Sequence, residues 1–289
     1  MLFANSGYVL QGEAMYNKVY IEITNICNMN CSFCHGHKRP LRKMSKEEFA
    51  LILDKLSNQT KYIYYHLMGE PLTHPLLPEF IQLANQHGFK SIITTNGTLL
   101  NKRKAELLHV GIHKINISLH SFEEDTGEEH SRYVRELAEF SKAAAEQGTI
   151  IVFRLWNKGY DGGKNDIVFN ILKETIPGEW SENTRGVRIR NKIHLEWGER
   201  FEWPDQDAEV KGEKFSCYGL RDHFGILSDG TVVPCCLDSD GVIALGNVFR
   251  DDLSSILSSD RASAITKGFK CGQAAEDLCR RCGYAQRFV

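Results

Sequence analysis

The chain is expected to fold as an α/β protein, a partial (β/α)6 barrel followed by a small, cysteine-rich C-terminal domain. Three observations lead there. First, β-type and α-type segments alternate about six times between Lys18 and Trp197, which implies a parallel sheet with helices outside it. Six units suit an open partial barrel better than a closed eight-fold one. Second, the nine cysteines are uneven: three lie in 27–34, none in 35–216 and six in 217–282. Third, the polar stretch ERFEWPDQDAEVKGEKFS, 199–216, separates the alternating part from the cysteine-rich end. The expected division is therefore 1–198 core, 199–216 linker and 217–289 auxiliary domain.

Each element has a local reason. Val19–Thr24 is a β-branched run that opens the sheet. Ser45 with Glu48 three residues on is a capping box that starts a helix through FALILDKL. Tyr62–Met68 reads as a strand, Leu77–Gln86 as a helix ending near Gly88, and Lys90–Thr95 as a strand. Lys102–Val110 reads as a helix stopped by Gly111, and Lys114–Leu119 as a strand. Arg132–Gln147 is a helix stopped by Gly148, Thr149–Leu155 a strand, Asp166–Thr175 a helix, and Gly186–Leu195 contains a last strand. Beyond the polar stretch, HFGILSDGTVVPCC reads as two strands around the Asp229-Gly230 turn, and Leu253–Ser258 as a short helix. This end has little apolar core of its own, so a metal site would hold it together.

Composition excludes several classes. With 289 residues and 42 % hydrophobic residues the chain can bury a sizeable core, and a formal net charge of −2 offers no basic excess for nucleic acid or an anionic membrane surface. No run approaches the roughly 20 apolar residues of a membrane span. MLFANSGYVLQGEAMYN lacks the basic flank and apolar run of a signal peptide, so a cytoplasmic location is expected. In a reducing compartment, nine cysteines are more readily ligands or redox groups than structural disulfides.

The spacing C-x3-C-x2-C of Cys27, Cys31 and Cys34, just after the first strand, is one thiolate short of a full ligand set. Three ordinary core cysteines, a zinc site completed by His35 or His37, and an iron–sulfur cluster with one open iron all fit that count. Strand-end loops carry the active sites of such folds, and this loop is at that end.

C-x3-C-x-aromatic-C in a (βα)6 chain resembles the radical S-adenosyl-L-methionine (radical SAM) superfamily. The resemblance implies a 4Fe–4S cluster on Cys27, Cys31 and Cys34, whose fourth iron is chelated by SAM, with Phe33 near the adenine. Met68-Gly69-Glu70-Pro71 is similar to the family's GGEP, with Met in place of the first Gly; Gly69, Glu70 and Pro71 would meet the SAM amino group. TTNG, Thr94–Gly97, follows the third strand as in many members. Ser118 in SLHS resembles the residue that contacts the SAM ribose, and Arg154 in FRLWN a basic residue that meets the SAM carboxylate. Taken singly, G-E-P is a common turn, and Ser118 and Arg154 are ordinary strand-end polar residues. The family's chemistry is reductive cleavage of SAM to a 5′-deoxyadenosyl radical that takes a hydrogen from substrate, supplied with electrons by a flavodoxin- or ferredoxin-type donor.

At the other end, Cys217 is followed by twelve residues, Gly230, four residues and Cys235, and Cys279 and Cys282 form a C-x2-C pair. Four thiolates complete either a cluster or a zinc ribbon. The pattern resembles the SPASM/twitch extension of radical SAM enzymes, shortened to one auxiliary 4Fe–4S cluster, and its spacing is close to that of a twitch-type aminocyclitol dehydrogenase. Cys236 should face away from Cys235, with exchange of the two as ligand an alternative, and Cys271 stands outside the pattern, its ligation left open by the sequence. Of His35, His37, His66, His74 and His120, only His66 and His120 have positions suited to the barrel interior.

The expected function is a radical SAM oxidoreductase in which a four-cysteine auxiliary cluster accepts an electron from a substrate radical, as in oxidation of a small-molecule alcohol. A SPASM-type maturase acting on a peptide substrate is the first alternative. A zinc-stabilised binding protein without radical chemistry is the second. The sequence singles out no catalytic acid or base.

Overall fold

The computed structural model of the chain describes residues 16–122 and 127–288; all but the last two residues of MLFANSGYVLQGEAMYN, with its signal-peptide reading, lie outside them. β1 (Lys18–Ile21), β2 (Tyr62–Tyr64), β3 (Lys90–Thr95), β4 (Lys114–Ser118) and β5 (Ile150–Lys158) pair in order, each parallel to the next. Between them run α1 (Lys46–Lys55), α2 (Leu77–Gln86), the short α3 (Lys104–Leu107) and α4 (Glu128–Glu146). The expected capping box is formed: Ser45 Oγ accepts from Glu48 N and the Glu48 carboxylate accepts from Ser45 N. After β5 comes α5 (Lys164–Thr175).

The last expected strand, Gly186–Leu195, is in fact two. β6 (Ser181–Asn183) and β7 (Gly186–Arg190) are antiparallel, and β8 (Ile193–Glu199) returns from a turn in which Lys192 has φ 64°. β8 lies parallel to β5 and is the sixth barrel strand. Continuous β-type composition hid the turn, which has no glycine or proline to mark it.

The C-terminal part extends the same sheet. β9 (His223–Ile226) pairs parallel with β1, β10 (Thr231–Val233) turns back antiparallel to β9, and β11 (Gly246–Asn247) pairs with β10. The strand order is β11-β10-β9-β1-β2-β3-β4-β5-β8-β7-β6. α6 (Leu253–Leu257), α7 (Asp260–Lys270) and α8 (Asp277–Arg280) follow. The segment expected to lack a core shares that of the barrel: Phe224, Ile226, Val232, Val248, Ile265 and Phe269 belong to the same apolar cluster as Val19, Ile21, Phe49 and Phe80.

That cluster fills the space between helices and the outer face of the sheet. Val19 and Ile21, Ile115 and Ile117, Ile151 and Phe153, and Ile193 and Leu195 alternate outward into it. Phe49 stacks on Phe80 at 4.4 Å, and each such buried ring contributes about 1.5–3 kcal/mol of burial energy. The inner face is different. It carries a small apolar patch of Tyr20, Leu67, Leu227 and Val233, and otherwise polar side chains from the alternate positions.

Candidate functional site

The loop after β1 carries Cys27, Cys31 and Cys34, and its shape does not depend on the cysteines. Asn25 Nδ2 donates to Pro40 O at 2.8 Å, Arg42 N donates to Asn25 Oδ1 at 2.7 Å, and His37 Nε2 bonds Asn25 O at 2.9 Å. Within the loop Cys34 N donates to Cys31 O at 3.1 Å, and Met29 N to Cys27 Sγ at 3.4 Å. None of the three is in a disulfide; Cys27 and Cys34 are exposed and Cys31 is half-buried.

Two further loops close on it. Gly69 has φ +75°, and a Cβ there would sit 2.5 Å from Thr24 O, so only glycine lets the second loop approach the first. Glu70 N then donates to Ile26 O at 2.9 Å. The Glu70 carboxylate is buried and accepts from Leu72 N at 3.0 Å and Asn96 N at 2.7 Å. Burial pushes its pKa up to about 7 despite those bonds. Pro71 is buried and opens the 3-10 turn Pro71–Thr73. The third loop is tied in by Asn96 Nδ2, which donates to Asn28 Oδ1 at 3.0 Å, and by Asn28 Nδ2, which donates to Thr98 Oγ1 at 2.8 Å. Glu70 thus sits where the first three strand-end loops meet.

Phe33 lies against His120 at 4.8 Å, with the Arg200 guanidinium 5.7 Å from its ring. Ser118 closes β4, in register with Arg154 on β5. The Arg154 guanidinium lies over the Trp156 ring at 4.8 Å and is surrounded by Glu196, Tyr64, Tyr20 and Cys236. Among the histidines, His74 is satisfied locally by Met44 O and Leu76 N. His120 is buried with Nδ1 on Arg154 O at 3.1 Å, and burial lowers its pKa to about 4.

The second cysteine group brings Cys217, Cys235, Cys279 and Cys282 together. Burial raises all four thiols, most strongly Cys235 and Cys279, and Cys282 to about 11; their mutual repulsion as thiolates adds to it. Four half-buried thiols that disfavour ionisation need a cationic metal group at their centre to hold them as thiolates. Among the described residues no three His, Cys, Asp or Glu side chains converge as they would on a single ion. A cubane cluster spaces its ligands more widely. Cys236 lies in the bend just after β10, beside the Tyr20 hydroxyl on the inner face and still within electrostatic reach of Cys217 and Cys282. Cys271 is exposed at the end of α7, apart from both groups.

Two features escaped sequence reasoning. Glu22, fully buried in the β-branched run, accepts from Arg39 Nη2 at 2.6 Å, Met68 N at 3.2 Å, Ser228 N at 3.1 Å and Ser228 Oγ at 2.9 Å. A lone acid in an apolar strand was its only signal. The supposed linker is a strap: Trp203 Nε1 donates to Phe33 O at 3.2 Å, while Glu202 O accepts from Gly283 N at 3.2 Å beside Cys282.

With three cysteines on a loop after β1, a G-E-P loop packed on it and four cysteines gathered at the C-terminal end, comparison with known proteins is decisive. The radical SAM superfamily model matches residues 21–155, and the SPASM iron–sulfur cluster-binding domain matches residues 217–283. The chain belongs to the radical SAM superfamily. Its cofactors are SAM and 4Fe–4S clusters.

BtrN, solved in complex with AdoMet and 2-DOIA, is similar to this radical SAM enzyme at a TM-score of 0.62 and 20 % identity, covering 94 % of both chains. Streptococcus suis SuiB bound to precursor peptide SuiA gives 0.56 and 16 %, covering 94 % of this chain and 71 % of that one. At those identities the likeness shows a shared fold. A probable GTP 3′,8-cyclase of Saccharolobus islandicus is 32 % identical over 109 residues, 37 % of this chain. The matched stretch spans about a third of that relative, 35 % of its length. The zinc-stabilised alternative gives way to the radical SAM and SPASM matches. Among the described residues no helix is long and apolar enough to cross a membrane.

Proposed function

We propose that the protein is a radical SAM oxidoreductase that abstracts a hydrogen from a small-molecule substrate, of the alcohol-dehydrogenating type, and passes an electron to an auxiliary 4Fe–4S cluster. The observation that carries it is the pair Cys235–Cys236. Cys235 belongs to the four-thiol group, and the next side chain lies on the inner face of the barrel beside Tyr20. An auxiliary acceptor there is separated from the substrate chamber by one residue.

In this proposal Cys27, Cys31 and Cys34 hold the SAM-binding cluster and Cys217, Cys235, Cys279 and Cys282 the auxiliary one. Bound together, the reduced first cluster and SAM supply the radical that takes hydrogen. The chain's own residues position and shield. Glu70 offers a buried carboxylate to the SAM ammonium, with the backbone at Gly69 and Pro71 shaping its cradle. Phe33 flanks the adenine, Ser118 meets the ribose, and the strap residue Trp203 covers the cysteine loop. A flavodoxin- or ferredoxin-type protein donates electrons.

The test is iron content together with SAM turnover. Reconstituted wild type should hold about eight irons per chain, as two four-iron clusters require. Ala at both Cys279 and Cys282 should lower this to about four and leave 5′-deoxyadenosine formation under dithionite measurable, whereas oxidised product should cease. Eight irons retained in that variant would refute the auxiliary assignment.

Glu70 predicts a pH dependence. Burial holds its pKa at about 7 in the absence of ligand, so below that pH the carboxyl is protonated and offers an ammonium no charge. SAM binding must then release a proton. Affinity should therefore rise as pH increases through about 7, flatten above it, and weaken by up to about tenfold per pH unit below it. Calorimetry in buffers of different ionisation enthalpy reports the proton, and Glu70→Gln should flatten the profile.

A further inference from the structure

The inner face of the barrel has an electrostatic imbalance that the SAM site does not use. Lys114, on β4, and Arg154, on β5, both face inward with Glu196 of β8 as the carboxylate near them. Lys18, also on this face, is engaged by Asp222 at 3.4 Å. Around Lys114 the cations Arg154, Arg185 and Lys18 outnumber that single carboxylate. Tyr20, Tyr64 and Cys236 complete the surroundings of Arg154, and burial keeps the two tyrosines protonated and so uncharged. With Lys18 offset by Asp222, Lys114, Arg154 and Arg185 face Glu196 alone, an excess of about two positive charges among the described residues.

Two buried polar atoms on this wall have no partner, Arg154 Nε and His66 Nδ1. Buried donors are nearly always satisfied, and a charged one left bare costs several times what a neutral one does. His66 packs edge-on to Tyr20 at 5.6 Å, and burial, with Arg154 beside it, holds its pKa at about 3. It is a neutral imidazole at working pH, able to donate from one nitrogen. The Arg154 guanidinium lies over the Trp156 ring at 4.8 Å, which leaves its planar edge free for a forked acceptor.

We infer that the barrel interior binds an oxyanion of the substrate, a carboxylate or a phosphate, with Arg154 as its forked donor and Lys114 and His66 flanking it. This rests on the barrel being the substrate chamber of the proposed oxidoreductase. It moves Arg154 from the SAM carboxylate to the substrate, because the guanidinium lies with Tyr20, Tyr64 and Cys236 on the inner wall. It also narrows the substrate class to small molecules bearing an acidic group. A fork on a carboxylate or phosphate would orient the rest of the molecule toward the cysteine loop above.

The experiment titrates malonate, and separately inorganic phosphate, into reconstituted, SAM-loaded holoenzyme under anaerobic calorimetry. At least one anion should bind saturably, and the stronger of the two identifies the headgroup. Arg154→Gln should weaken that binding at least tenfold, Arg154→Lys should retain part of it, and Arg132→Gln, on the outer helix α4, should leave it unchanged. Iron content and melting temperature of Arg154→Gln should match those of wild type, which shows that the variant is folded. No saturable binding of either anion, equal binding in Arg154→Gln, or a loss of SAM affinity in both folded Arg154 variants would overturn the inference. A wild type that binds an anion through Arg154 but does not cleave SAM would leave this site standing and defeat the proposed function instead.

Discussion

Replacing Cys27, Cys31 and Cys34 together by Ala should bring SAM cleavage below detection and halve the iron content, from about eight to about four per chain. The second group of thiols is built from residues 217–282 and needs none of these three. The loop itself should persist, since Asn25, His37 and Arg42 shape it through backbone hydrogen bonds and none of its cysteines is buried in the core. Near-native melting with no 5′-deoxyadenosine under strong reductant is the expected pair of results. Persistent 5′-deoxyadenosine would mean that SAM is cleaved elsewhere.

Glu22→Ala should be among the most damaging single changes outside the cysteines. Its carboxylate is fully buried and joins four parts of the chain: β1, Arg39 of the cysteine loop, Met68 before Gly69, and Ser228 in the β9–β10 hairpin. Removing it strands Arg39 beside two unsatisfied buried N–H groups. Loss of one partner of a buried pair costs about 3–5 kcal/mol. At about 2–4 °C per kcal/mol for a chain of this size, the melting temperature should fall by about 10 °C. Glu22→Ala with Arg39→Met should recover part of the loss, because the unpaired charge goes too. A drop under 2 °C in the single variant, by calorimetry of the anaerobic protein, would show that Glu22 ties nothing together.

Local rules served well where the physics is local. The capping box at Ser45 and Glu48, the bounds of α2 and β3, and the turn at Asp229-Gly230 all stand as read, because each depends on residues within a few positions. The cysteine motifs and Gly69-Glu70-Pro71 were legible for the same reason: spacing along the chain is itself the signal. What escaped is pairing across distance. Nothing in His223–Ile226 announces that it lies beside β1, since any apolar strand of that length can take any open edge. Helix α7 was missed although Ser259 caps it and Ala262, Ile265 and Phe269 recur at helical spacing. Its polar remainder and Gly268 diluted the pattern. Arg154 was assigned by its position after a strand, whereas its partners come from β1, β2, β8 and the loop after β10.

Residues 199–216 looked like spacer because they are polar, yet Glu202 and Trp203 hold opposite cysteine loops from adjacent positions. One peptide unit, about 3.8 Å from Cα to Cα, therefore separates the anchor of Phe33 from the anchor of Gly283. A Cβ on Gly283 would lie 2.8 Å from Glu202 O, so the second anchor has no slack. The two cysteine loops thus lean on neighbouring residues of one strap, the first through the Trp203 indole and the second through the Glu202 backbone.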